Sequence, residues 1–160
     1  MDDQDILMDC SKFDKIISTP SLGDSARRQA LQELISNGCL KSLFGHAQTS
    51  SRIDWVRNYS LLALTKFASI NTAADEVAIT LQDDEVLLDY SLDKEKLKLK
   101  AAKLLFLFLT LENKPRKFKK IALMGLIVGE HWDYCIELEQ DSSTKEWIQR
   151  TIQSALKAKK

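Results

Sequence analysis

Glycine and proline are scarce, five and two in 160 residues. Folds built from many short strands lean on those residues for their turns, so a sheet-rich architecture is disfavoured and helix is the leading class. No hydrophobic run is long enough to cross a bilayer. The longest, "LLFLFL" at 104–109, lies between Lys103 and Thr110, and a spanning helix needs about 20 apolar residues. The start, "MDDQDILMDC", is acidic where a signal peptide is basic. These features read as a cytoplasmic protein, or a nuclear one. Net charge is absent too, with Lys plus Arg and Asp plus Glu balanced at 23 each. No global field favours nucleic acid or a membrane surface. Cys10, Cys39 and Cys135 are far apart, with no CxxC and no histidine at ligand spacing. That argues against a zinc site or a disulfide framework, and for small buried apolar groups in a reducing compartment.

Catalytic patterns are missing as well. His46 and His131 belong to no metal-ligand spacing, and there is no G-x-S-x-G, phosphate loop or G-x-G-x-x-G. Gly23, Gly38, Gly45, Gly125 and Gly129 read as turn or cap residues. Asp83-Asp84-Glu85 reads as a helix N-terminus rather than a cation site. The expectation is a non-enzyme with no cofactor and no metal.

What is present is helical periodicity over one domain, 1–160. Ile6, Cys10, Phe13 and Ile17 share a face of a first helix (1–18), with Asp2, Asp3 and Asp5 at its dipole-positive end. Pro20 and Gly23 break it. "SARRQALQELISNG" follows and ends at Asn37-Gly38; a short helix then carries Leu40, Leu43 and Phe44. Ile53, Val56, Ser60, Leu61, Leu64 and Phe67 keep helical spacing to about residue 70. "AADEVAITL" reads as a short helix, Asp83 or Asp84 as the cap of the next, with "EVLLDY" as its apolar residues. A long helix covers 92–111, Pro115 opens another that ends at Gly125, and "LIVGEHWDYCIEL" reads as a further helix. Ser143 and Glu146 match a capping box, ahead of a stripe of Trp147, Ile148, Thr151, Ile152 and Ala155.

The chain also repeats itself. At an offset of 41, Val56 falls on Leu97, Arg57 on Lys98, Ser60 on Ala101, Leu64 on Leu105 and Phe67 on Phe108. Periods of about 40–47 mark armadillo and HEAT arrays. "NGCLKSLFGHAQTSSRIDWVRNYSLLALTKFA" (37–68) resembles an armadillo repeat: a Gly after one helix, a Leu-rich short helix, a polar turn, then V-R-x-x-[AS]-L-x-A-L. Residues 97–128 resemble the next repeat running into a third. Within that family, "LKLKAAKLLFLFL" with a Met-Gly some sixteen residues later is similar to armadillo-type nucleotide-exchange factors of the 70-kDa heat-shock chaperones. Nuclear-import arrays carry groove Trp and Asn residues where this chain has Leu62, Lys66, Lys103 and Leu107, which disfavours a nuclear-signal receptor.

The expected fold is therefore all-α: a right-handed α-solenoid of about three armadillo-like repeats (25–70, 72–112 and an irregular 114–158) with an N-terminal capping helix. The helices at about 51–70, 92–111 and 143–158 are expected to line one face, and no strand is expected. The repeat alignment makes Tyr59, Leu62, Lys66, Lys100, Lys103, Leu107, Arg150 and Ser154 the partner-binding positions of a protein-interaction module. The resemblance implies a 70-kDa heat-shock chaperone as partner, with nucleotide exchange as the effect. The alternatives are a passive scaffold or adaptor, and a nucleic-acid-binding helical repeat that uses the basic stretch Lys114, Arg116, Lys117, Lys119 and Lys120.

Overall fold

The computed structural model describes residues 3–159, with side chains from Cys10 to Lys159. The roles expected of Asp2, Asp3, Asp5 and Ile6 lie outside the described side chains. The described residues are mainly helical: α1 (Asp3–Ile17), α2 (Asp24–Ser36), α3 (Leu40–Gln48), α4 (Asp54–Ala68), α5 (Lys94–Thr110), α6 (Arg116–Val128), α7 (Trp132–Gln140) and α8 (Glu146–Ala158). Between α4 and α5 stands a hairpin, β1 (Ala78–Leu81) and β2 (Asp84–Leu87).

The hairpin overturns two expected helices. Val77, Ile79 and Leu81 are buried, while Ala78 and Thr80 are exposed. That alternation is the period of a strand with one covered face. Antiparallel pairing sets Ala78 against Leu87 and Leu81 against Asp84. Gln82 and Asp83 make the two-residue turn, with Gln82 at φ 53°. Asp84 caps no helix; Asp93 does, accepting from the Lys96 N–H at the start of α5.

Each odd-numbered helix packs on the even-numbered helix that follows it, and α4 also packs on α5 and α6. The even helices then meet in series through their first turns. The Arg27 guanidinium carbon lies 5.9 Å from the centre of the Trp55 ring, Arg57 lies 4.6 Å from Phe118, and Arg116 lies 4.7 Å from Trp147. These contacts run α2–α4–α6–α8. The line expected through 51–70, 92–111 and 143–158 is corrected accordingly: α6 follows α4 in the series of even helices that leads to α8, while α5 packs on α3, α4 and α6. The 41-residue offset aligns two helices that pack on one another. It still finds core positions, since Val56, Leu97, Ser60, Ala101, Leu64, Leu105, Phe67 and Phe108 are all buried. Burying one such large apolar side chain is worth roughly 1.5–3 kcal/mol.

A shorter period is visible in three dimensions. The fourth residue of each even helix is a long polar side chain: Arg27, Arg57, Lys119 and Gln149. Arg27 Nε donates to Ile17 O at 2.9 Å, Arg57 Nε to Ala47 O at 3.0 Å and Gln149 Nε2 to Glu139 O at 3.2 Å. In each case the acceptor is ten residues earlier, at the C-terminal end of the preceding odd helix, where carbonyls lack helical partners. Lys119 is the buried fourth member, and burial lowers its pKa, with help from the charge of Lys145.

Several smaller expectations change. Gly125 ends no helix: α6 continues to Val128, and the residues expected to begin the next helix belong to its last turn. A Cβ on Gly125 would come within 2.7 Å of Leu105 Cδ1 and 2.9 Å of Thr65 Cβ, so glycine serves the contact of α6 with α4 and α5. Gly129 likewise lies against the Ala68 carbonyl, and the left-handed residue after α6 is Glu130 at φ 60°. Gly38, at φ 68°, does close α2. Ser143 caps nothing, since its N–H and Oγ both donate to Asp141. Trp147, Thr151 and Ala155 are half-buried around fully buried Ile148 and Ile152. Cys10 and Cys39 form a disulfide that ties α1 to the start of α3, correcting the reading of all three cysteines as buried apolar groups in a reducing compartment. Cys135 remains a buried thiol whose pKa burial raises to about 11.

Candidate functional site

Gly125 brings α4 and α6 into close contact, and a groove of about 310 Å³ lies along that contact. Leu62, Thr65 and Lys66 line it from α4, Ser69 from just past the end of α4, and Lys120, Ile121, Met124 and Val128 from α6. Its walls are mostly apolar, and two of them are open to solvent: Met124 is 50% exposed and Val128 63%. Large side chains of this kind standing together in a concavity carry binding more often than scattered ones. Lys66 and Lys120 add two positive charges, and neither forms an ion pair among the described residues.

The expected partner-binding residues separate into groups. Leu62 and Lys66 line the groove. Arg150 and Ser154 are exposed on α8, further along the same series of even helices, with Arg150 paired to Glu146 at 2.6 Å. Lys100, Lys103 and Leu107 are exposed on α5, away from the groove. Tyr59 is corrected: it is 1% exposed, and its hydroxyl donates to Asp84 at 2.8 Å. Arg28 Nε donates to the same oxygen at 2.6 Å. The three side chains join α2, α4 and β2. Arg28 holds the Asp84 carboxyl below its usual range, while burial and the bond to Asp84 push Tyr59 up to about 12. They tie the hairpin to α2 and α4.

The basic stretch does not form one surface. Lys114 Nζ donates to Gln48 O at 2.6 Å, closing the end of α3. Arg116 stacks on Trp147, Lys117 pairs with Asp54, and Lys119 is buried. Lys120 is the member that faces the groove. These residues are adjacent in sequence, but a helix turns neighbours about 100° apart. Met124, Ile121 and Val128 were missed. Their spacing of three and four from one another was the available signal.

One further polar cluster joins α1 to α3. Asp14 Oδ1 lies 2.8 Å from His46 Nε2, Ser42 Oγ donates to Asp14 Oδ2 at 2.8 Å, and Arg52 Nε approaches His46 Nδ1 at 3.4 Å. The imidazole is occupied on both nitrogens, and neither partner is a hydroxyl. The arrangement holds helices together and offers no serine activated by histidine. Among the described residues, no group of three or more His, Cys, Asp or Glu side chains could hold a metal ion. No helix among them is long and apolar enough to cross a membrane.

No family model, curated protein or solved structure matches this chain.

Proposed function

We propose that the chain is a non-catalytic protein-interaction module, a short armadillo-type array of helix pairs that grips a partner protein through the α4–α6 groove and the adjoining faces of α2 and α8. The observation that carries this reading is the groove itself. A tight crossing at Gly125 fixes its walls, and Met124 and Val128 stand exposed within it beside Lys66 and Lys120. The repeated first-turn contacts of Arg27, Arg57 and Arg116 support an array whose unit is an odd–even helix pair. The hairpin between the second and third pairs departs from the armadillo pattern. An array of equivalent helices presents an extended surface suited to another protein rather than to a small metabolite.

The narrower reading is a co-factor that promotes nucleotide exchange on a 70-kDa heat-shock chaperone. It rests on "LKLKAAKLLFLFL", most of whose apolar residues are buried in α5. The nucleic-acid alternative has less support, because Lys114, Arg116 and Lys117 each have a partner within the protein and Lys119 is buried.

Affinity capture from cytosol with the wild-type chain and with Met124→Glu/Val128→Glu tests the reading. A partner retained by the first and lost by the second supports it; equal recovery removes the groove from the function. Nucleotide-release kinetics on a recovered chaperone then separate the exchange factor, which accelerates release, from the scaffold, which does not.

A further inference from the structure

The α4–α6 groove continues past its end. Lys66 and Ser69 also line a second depression of about 330 Å³, whose far wall is the start of β1 from Glu76 to Ile79. The outer edge of that strand is open. The Leu88 N–H donates to Val77 O, so Val77, Ile79 and Leu81 are the residues that bond across the hairpin. Ala78 and Thr80 alternate with them, so their N–H and C=O groups point away from β2. Among the described residues neither finds a backbone partner outside the ladder. An unpaired edge of this kind is a template for another strand.

We propose that the free edge of β1 and the α4–α6 groove form one docking trough, which takes an extended segment of the partner protein by strand addition. The segment pairs with Ala78 and Thr80, seats an apolar side chain against Leu62, Ile121 and Met124, and places a carboxylate between Lys66 and Lys120. Main-chain bonds give such a complex its affinity, and the side-chain positions give it selectivity. Charge sets the direction of the segment. Lys120 stands at the α6 end, Lys66 at the junction of the two depressions, and Glu76 at the β1 end. The acidic part of the segment therefore lies over α6. This inference rests on the interaction-module reading and adds the mode and chemistry of the partner.

Selection of a random 12-residue peptide library on the whole chain tests it. The expected consensus is an apolar residue followed by Asp or Glu, and the selected peptides slow amide exchange at Ala78 and Thr80. Thr80→Pro removes an N–H that the hairpin does not use and lowers peptide affinity about tenfold, the scale of a lost hydrogen bond. Lys66→Glu/Lys120→Glu, which leaves the edge intact, does the same and shifts the consensus towards basic residues. Circular dichroism confirms that each variant is folded before it is scored. Peptides without acidic residues, affinity unchanged in both variants, or no binders at all would overturn the trough. A natural partner that binds wild type and Thr80→Pro equally would overturn strand addition and leave the interaction module standing; a chain with no protein partner would remove both.

Discussion

Arg57 Nε donates to the carbonyl of Ala47, and its guanidinium lies over the ring of Phe118. One side chain thus closes the end of α3, sits in α4 and supports α6. Arg57 is 5% exposed, and its Nη2 has no hydrogen-bond partner among the described residues. Arg57→Ala removes the bond, the ring contact and the packing of the stem together. The expected loss is about 2–4 kcal/mol, from one hydrogen bond to a charged donor plus a desolvated cation–ring contact. Urea unfolding monitored at 222 nm measures it. A loss below about 0.5 kcal/mol would show that the first-turn residue does not hold the series together.

Gly125 and Gly45 make a matched pair. Both sit inside helices, where alanine is intrinsically better by about 1 kcal/mol. A Cβ at Gly45 meets nothing within 4 Å, so Gly45→Ala should stabilise by up to that amount. A Cβ at Gly125 meets Thr65 Cβ at 2.9 Å, an atom close to the backbone of α4 that has little freedom to move. Overpacking of this kind costs about 1–3 kcal/mol, so Gly125→Ala should be net destabilising. The same sign for both in thermal unfolding would mean that α4 and α6 do not approach as closely as described.

The Arg28–Asp84–Tyr59 cluster makes stability depend on pH at both extremes. The folded Asp84 carboxyl titrates below its ordinary value, so its contribution is present above about pH 4 and is lost as pH falls through the lower folded value. The folded Tyr59 hydroxyl is raised to about 12, so its contribution is full below about pH 10 and is lost as pH rises towards 12. The stability gap between wild type and Asp84→Asn should narrow below pH 4. The gap to Tyr59→Phe should narrow above pH 10. Gaps that stay constant across both windows would contradict the cluster.

The Cys10–Cys39 disulfide spans 29 positions. In the chain-entropy account a loop of that size stabilises by about 3–4 kcal/mol. Dithiothreitol should therefore lower the unfolding midpoint of wild type and leave that of Cys10→Ser/Cys39→Ser unchanged, with Cys135 unreactive in both until unfolding.

How much of this was legible beforehand depended on the kind of signal. Helices α1 to α4 were visible because apolar spacing, Pro20 and Gly38 all pointed the same way. The hairpin was missed because its turn, Gln82-Asp83, carries no glycine or asparagine. The alternation of Val77, Ile79 and Leu81 was nevertheless there to read. Tyr59 was placed on a binding face because helical spacing cannot foresee that a hairpin brings Asp84 over that position. The offset of 41 came from two helices with similar cores. The deeper regularity, a long polar residue at the fourth position of each even helix, is spread over Arg, Arg, Lys and Gln and is interrupted by the hairpin, so residue identity alone conceals it. In the groove, Leu62 and Lys66 were anticipated from α4. Their counterparts on α6 were not, because a glycine in sequence signals a helix stop as readily as a point where two helices touch.

A photo-cross-linking amino acid placed singly at Met124 and at Leu107 tests the central claim most directly. Both positions are exposed, at 50% and 39%, but the first lines the groove and the second lies on α5. Irradiation in cell extract should give a discrete protein adduct from position 124 and none from position 107. Adducts of equal yield from both, or from position 107 alone, would contradict a partner held in the α4–α6 groove.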